Sequence, residues 1–175
     1  MQDDLFNNDN MRKFLVDCKV DYQEKLSYPP VALSLGSKVL TTDNGNLVLP
    51  VPIGSYGNIS MISAPAKTKK TFFVSLLTSA YLSGDNPYCG QIKGHRAERS
   101  VLHIDTEQGR WHSHRTFQNT FNVSRINDSK KYHTFGLRSI GWKNRLPFIE
   151  YCLERYQDVG LLCIDGVADL ILDPN

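Results

Sequence analysis

The chain has no long apolar run, no closely paired cysteines and almost no net charge, and each lack removes a class of protein. None of its hydrophobic stretches approaches the roughly 20 residues that a membrane helix needs. The opening Met1-Gln2-Asp3-Asp4-Leu5 is acidic and polar, the wrong chemistry for a secretory leader. The four cysteines, Cys18, Cys89, Cys152 and Cys163, form no C-x-x-C pair and have no histidine at zinc-finger spacing. Cys152 and Cys163 lie in apolar stretches, where a thiol acts as a small hydrophobe. The expectation is a reduced, cytoplasmic protein that does not enter a membrane. A formal net charge of +2 neither demands nor excludes nucleic acid, because a binding stripe can be local. No repeat or low-complexity tract is visible.

What is present reads as one globular domain, at 175 residues with 41% apolar and 22% charged side chains. Residues 1–54 read as an arm. It holds a helical lead-in over 1–26, stopped by Tyr28-Pro29-Pro30, and then extended text with a hairpin turn at Asp43-Asn44-Gly45-Asn46. Pro50, Pro52 and Gly54 are expected to end that section. From residue 55 to 175 strands and helices alternate, the pattern of an α/β fold with a mostly parallel sheet flanked by helices. Strands are expected at Asn58–Ser63, Ser100–Asp105, Tyr132–Leu137 and Val159–Ile164. The last is almost wholly apolar, as the buried centre of a parallel sheet would be. Helices are expected over Phe72–Leu82, Arg110–Phe121 and Leu146–Tyr156, with a polar loop over Ser83–Arg99.

A phosphate-binding loop sits where a strand turns into a helix, so that free backbone N–H groups face the anion. Ala64-Pro65-Ala66-Lys67-Thr68-Lys69-Lys70-Thr71, followed by Phe72, occupies such a place. Against G-x-x-x-x-G-K-[ST], Lys70-Thr71 match the last two positions, while Ala64 and Lys69 replace both glycines. Lys70 would reach the β- and γ-phosphates, and Thr71 would hold Mg²⁺ through its hydroxyl. A lysine at the second glycine position costs on the order of 1–2 kcal/mol if the left-handed conformation is kept. The plainer reading is a solvated basic turn before a helix.

Two strand ends carry acids. Leu161-Leu162-Cys163-Ile164-Asp165 is a Walker B arrangement, whose aspartate would hold Mg²⁺ beside the phosphate loop. Ser100–Asp105 runs into Thr106-Glu107, and a glutamate there could take a proton from an attacking water. The alternatives are a turn aspartate and a loop carboxylate.

Together these segments resemble the RecA family. Ile104-Asp105-Thr106-Glu107 is similar to its I-D-A-E segment, and Ile164-Asp165-Gly166-Val167-Ala168-Asp169-Leu170 to its V-D-S-V-A-A-L. The likeness covers about residues 57–173, and the nearest relatives resemble RepA-like hexameric helicases and the ATPases of mobilisable transposons and plasmids. Some of those carry degenerate loops of the K-x-K-[ST]-[KR]-K-T type, partly echoed by Lys67–Thr71. The resemblance implies a RecA-like P-loop ATPase acting on DNA as a ring or filament of identical subunits. Its cofactors would be ATP and Mg²⁺; Lys70 and Glu107 would be catalytic, and Thr71 and Asp165 the metal-holding pair. RecA-like domains run on past the Walker B strand, so an incomplete core is expected. Two competitors stand beside this reading: a scaffold that binds ATP without turning it over, and an α/β interaction domain with no nucleotide.

His112 and His114 are poor joint metal ligands, because i and i+2 point roughly 200° apart on a helix. Arg110 and Arg115 fit an exposed helix face as well as a ligand contact. Arg138, Lys143 and Arg145 could form a phosphate-binding rim, with solvated charge as the default.

Overall fold

The computed structural model describes residues 8–65, 68–84 and 90–171. It is an α/β arrangement with two three-stranded sheets, one antiparallel and one parallel. The antiparallel sheet is built on a long hairpin, β1 (Val31–Thr42) and β2 (Gly45–Ser55). Its turn is closed by the Thr42 hydroxyl donating to the Gly45 carbonyl at 2.8 Å. Pro50 and Pro52 do not end β2 as expected; they pair opposite Ser37 and Ser34. The sheet order is β2-β1-β3, so β2 is an edge strand, and an edge can spare the missing N–H. Strand β3 (Ile92–Gly94), inside what reads as a loop, pairs with Leu33–Leu35. A Cβ on Gly94 would fall 2.5 Å from the Ala80 carbonyl oxygen, so glycine lets β3 pass close over the following layer.

The lead-in helix ends at Asp17, well before residue 26; residues 1–7 of that expectation lie outside the described residues. Helix α1 spans Asn8–Asp17 and buries none of its residues. With Phe14, Leu15 and Val16 all exposed, no packing extends it.

The parallel sheet has the order β5-β4-β6, with β4 at Ser100–Asp105, β5 at Tyr132–Gly136 and β6 at Val159–Asp165. Strand β4, not β6, is the buried centre, and all six of its residues are buried. Strand β6 lies at the edge and is only partly covered for most of its length. An apolar strand therefore marked the sheet but not the position within it. Helices α2 (Lys70–Leu82), α3 (Arg110–Ser124) and α4 (Trp142–Arg155) follow the same chain order as expected. Helix α4 begins four residues earlier than Leu146, with Pro147 inside its second turn. It buries Ile149 and Cys152 and leaves Leu146 and Tyr151 exposed.

Side chains of β4 alternate between two cores, as a strand covered on both faces requires. Val101 packs with Ala80, Tyr81 and Leu82 of α2 and with Ala32 and Leu33 at the root of the hairpin. Leu102 and Ile104 pack with Leu137, Ile149, Cys152 and Leu170. No strand forms over Asn58–Ser63. Ile59 and Met61 are 97% and 80% exposed, and none of the described strands pairs with this segment. A strand exists only when a neighbour accepts its backbone hydrogen bonds, and apolar alternation alone does not supply one. Among the described residues, no helix is long and apolar enough to cross a membrane.

Candidate functional site

Helix α2 begins at Lys70, and the residue before it, Lys69, has φ 63° and ψ 32°. This is the left-handed conformation for which glycine is usual, and here a lysine adopts it. Ala64 has no positive φ, so the first substitution imposes no such strain. No side chain caps the start of α2, which leaves its first N–H groups without a side-chain acceptor. Thr68 turns its hydroxyl back onto the Pro65 carbonyl at 2.6 Å, and Phe72 is exposed. Ala66 and Lys67 lie outside the described residues.

Four of the singled-out side chains meet. The Thr71 hydroxyl donates to Asp165 Oδ2 at 2.6 Å. The Lys70 ammonium lies 3.5 Å from Asp165 Oδ1 and 3.9 Å from Glu107 Oε1. The strand ends explain the meeting: β4 and β6 are parallel and in register, with Asp105 opposite Asp165. Both acidic segments therefore emerge at the carboxyl edge of the sheet, where the first turn of α2 also arrives. Asp165 is 4% exposed, and its Oδ1 has no hydrogen-bond donor among the described residues. A buried carboxylate oxygen facing only an ammonium is a position where a second cation or a polarised water would be accommodated.

The turn that carries Glu107 is held by residues that spacing alone did not single out. Asp105 is buried; its Oδ1 accepts from the backbone N–H groups of Glu107 and Gln108 at 3.0 and 2.9 Å. Its Oδ2 accepts from the Ser113 hydroxyl at 2.8 Å, which fixes the first turns of α3. The Thr106 N–H donates to the Asp165 carbonyl at 3.1 Å, and its hydroxyl donates to the Gly166 carbonyl at 2.7 Å. These bonds stitch the end of β4 to the end of β6. Gly166 has φ +94°, and a Cβ there would fall 2.3 Å from Thr106 Oγ1 and 2.6 Å from Glu107 Cγ. Only glycine fits both the conformation and the space. A legible signal existed: an aspartate followed by two residues needing N–H acceptors is an Asx turn.

Other candidates separate from this cluster. His112 and His114 are exposed, and among the described residues no group of three or more His, Cys, Asp or Glu could hold a metal. Arg145 is not a solvated rim charge. It is 4% exposed, and it donates to the carbonyls of Ile140 and Asp169 at 3.0 and 2.8 Å. It therefore latches the short 3-10 turn after β6 (Val167–Leu170) to the start of α4. Arg138 is exposed and donates to the Glu107 carbonyl at 3.2 Å. Beside it, between α3 and β5, lies an open cleft of about 670 Å³ lined by Gln108, Arg110, Ser113, His114, Thr134 and Arg138 among others. It adjoins the Glu107 turn but is not lined by Lys70 or Asp165.

Beneath the edge, His103 is buried in β4, with Nδ1 2.7 Å from the Tyr132 hydroxyl and its ring edge-on to Phe117. Burial pushes its pKa down to about 4, against the upward pull of Asp165 and Asp105. Cys163, on β6, is half-buried, and desolvation likewise pushes its thiol up to about 12, which keeps it protonated rather than nucleophilic. No family model matches the chain, and neither do the curated proteins or the solved structures.

Proposed function

We propose that this chain is the ATP-binding and ATP-hydrolysing part of a RecA-like P-loop protein that processes DNA for a mobile element. The single observation that supports this reading is the meeting of Lys70, Thr71, Glu107 and Asp165 at one end of a parallel sheet. DNA and further copies of the chain belong to the reading as partners through the sequence resemblance alone.

The chemistry of the donor set suits a magnesium triphosphate. Mg²⁺ is commonly held by one or two protein oxygens, with phosphates and water completing its shell, so a large acidic cluster is not needed. The Thr71 hydroxyl and the Asp165 carboxylate are the groups that would hold it; Oδ1 accepts no hydrogen bond among the described residues and would be available once Lys70 turned to phosphate. When bound, the ion would neutralise charge on the β- and γ-phosphates. Lys70 would exchange its two carboxylate partners for phosphate oxygens, and the uncapped start of α2 would add backbone N–H groups. Glu107, half exposed and released from Lys70, would then orient water and accept its proton.

The decisive comparison is between Lys70→Ala and Glu107→Gln. Lys70→Ala loses ATP binding, read by titration with a fluorescent ATP analogue. Glu107→Gln keeps binding, and its turnover falls by about 10²- to 10⁴-fold, the usual worth of a general base. Equal ATPase activity in the parent and both variants rejects the proposal. One competing reading is a nucleotide-sensing scaffold, motivated by a lysine, Lys69, standing left-handed where the phosphate-loop pattern has glycine. Single-turnover hydrolysis separates the two: ATP bound and left intact selects the scaffold.

A further inference from the structure

The chain has two tryptophans, and both stand at the starts of helices on the carboxyl edge of the parallel sheet. Trp111 is in the first turn of α3, after β4; Trp142 is the first residue of α4, after β5. Each carries a cation against its ring. The Arg115 guanidinium lies 5.5 Å from the Trp111 centroid, and the Lys143 ammonium 5.6 Å from the Trp142 centroid. Trp111 is 63% exposed, an uncommon placement for so large an apolar side chain.

Beside the first of these helix starts, between α3 and β5, opens the cleft of about 670 Å³. Its lining includes Arg110, His114 and Arg138 and no aspartate or glutamate. The Arg110 side chain has no ion pair or hydrogen bond among the described residues, and Arg138 is engaged only by a backbone carbonyl. Asp105, the carboxylate beneath, is buried and committed to the Glu107 turn and Ser113. The positive charge of the cleft is thus uncompensated from within. Arg110 and His114 are one helical turn apart on α3 and share its cleft-facing side, while Trp111 and Arg115 share the adjacent side.

We infer that this edge binds single-stranded nucleic acid, with backbone phosphates in the Arg110–Arg138 cleft and bases stacked on Trp111. Arginines without carboxylate partners match phosphodiesters, and an exposed indole beside them offers a face for an unpaired base. A duplex keeps its bases stacked on one another and hides those faces. The inference deepens the DNA-processing part of the proposed function by giving it a surface, and it is independent of ATP binding, because none of these residues belongs to the Lys70–Asp165 cluster.

The test is fluorescence anisotropy of a labelled oligothymidylate against the full chain, with a duplex of equal length as comparison. The single strand binds the more tightly. Trp111→Ala weakens it by about 5- to 150-fold, the range for loss of one stacked base. Arg110→Ala with Arg138→Ala flattens the salt dependence by a log–log slope of about 1.4, roughly 0.7 for each lost phosphate contact. Arg110→Lys with Arg138→Lys restores most of the binding, which a misfolded protein would not do. In the Trp142→Phe variant, the oligonucleotide quenches the remaining Trp111 emission. Lys70→Ala binds the oligonucleotide as the parent does, whatever becomes of its ATP binding, so the two proposals fail separately. Unchanged affinity and salt slope in the Trp111 and arginine variants overturns the inference. So does an Arg110→Glu variant that sediments at lower mass yet binds the oligonucleotide normally, which assigns this face to a second copy of the chain.

Discussion

The Thr71 hydroxyl donates to Asp165 Oδ2 at 2.6 Å across 94 positions of sequence. That bond joins the first turn of α2 to the end of β6. It also leaves the other oxygen of the same carboxylate facing only Lys70. The site is thereby pinned from both sides, by a helix start that brings donors and by strand ends that bring acids.

Replacing Lys69 by glycine is expected to stabilise the protein. The left-handed backbone at Lys69 costs about 1–2 kcal/mol for a residue with a Cβ, and glycine gives back about 0.5–1 kcal/mol in chain entropy. The net gain of about 0.5–1 kcal/mol corresponds to a rise in Tm of roughly 1–4 °C at this chain length. A thermal scan of Lys69→Gly that shows a lower Tm would contradict the strain argument.

Gly166→Ala is expected to do the opposite. It sets a Cβ in a left-handed backbone and drives it into Thr106 and Glu107, both of which lie at the strand ends. Strain and overpacking together cost about 2–4 kcal/mol. Urea unfolding reads that loss directly. If nucleotide is hydrolysed, turnover should fall as well, because the displaced side chain is Glu107. A variant with parental stability would show that the Thr106–Gly166 stitch is not rigid.

Stability should also depend on pH through His103. Its folded pKa is about 4, below the 6.5 of an exposed imidazole, so between these values the unfolded chain binds the extra proton. The contribution is fully present above pH 6.5, declines as the pH falls, and is exhausted near pH 4. The loss across that window is on the order of 3 kcal/mol, from about 2.5 units at about 1.36 kcal/mol each. Denaturant midpoints at pH 7.5 and pH 5 measure it. In His103→Gln the slope over this window should shrink; an unchanged slope would place its origin elsewhere.

Much of the fold was written locally. Asp43-Asn44-Gly45 made the hairpin turn legible, the apolar runs of β4 and β6 marked strands, and the acid closing each strand marked its carboxyl end. Lys70-Thr71 at the start of an apolar helix identified the residues that meet Asp165. Other features were hidden because they depend on distant partners. Asn58–Ser63 has the composition of a strand but lacks a paired neighbour. Pro50 and Pro52 read as stops, yet an edge strand accommodates them. Arg145 reads as a surface charge, yet the carbonyls of Ile140 and Asp169 bury it.

The sequence by itself determined which segments extend or coil and which polar side chains stand at their ends, since turns and periodicity act over a few residues. The tertiary structure alone decided that β4 is the centre and β6 the edge, that Lys69 is left-handed, and that Asp105 anchors the turn carrying Glu107. Those outcomes rest on hydrogen-bond ladders and steric contacts that exist only once distant segments of the chain lie side by side.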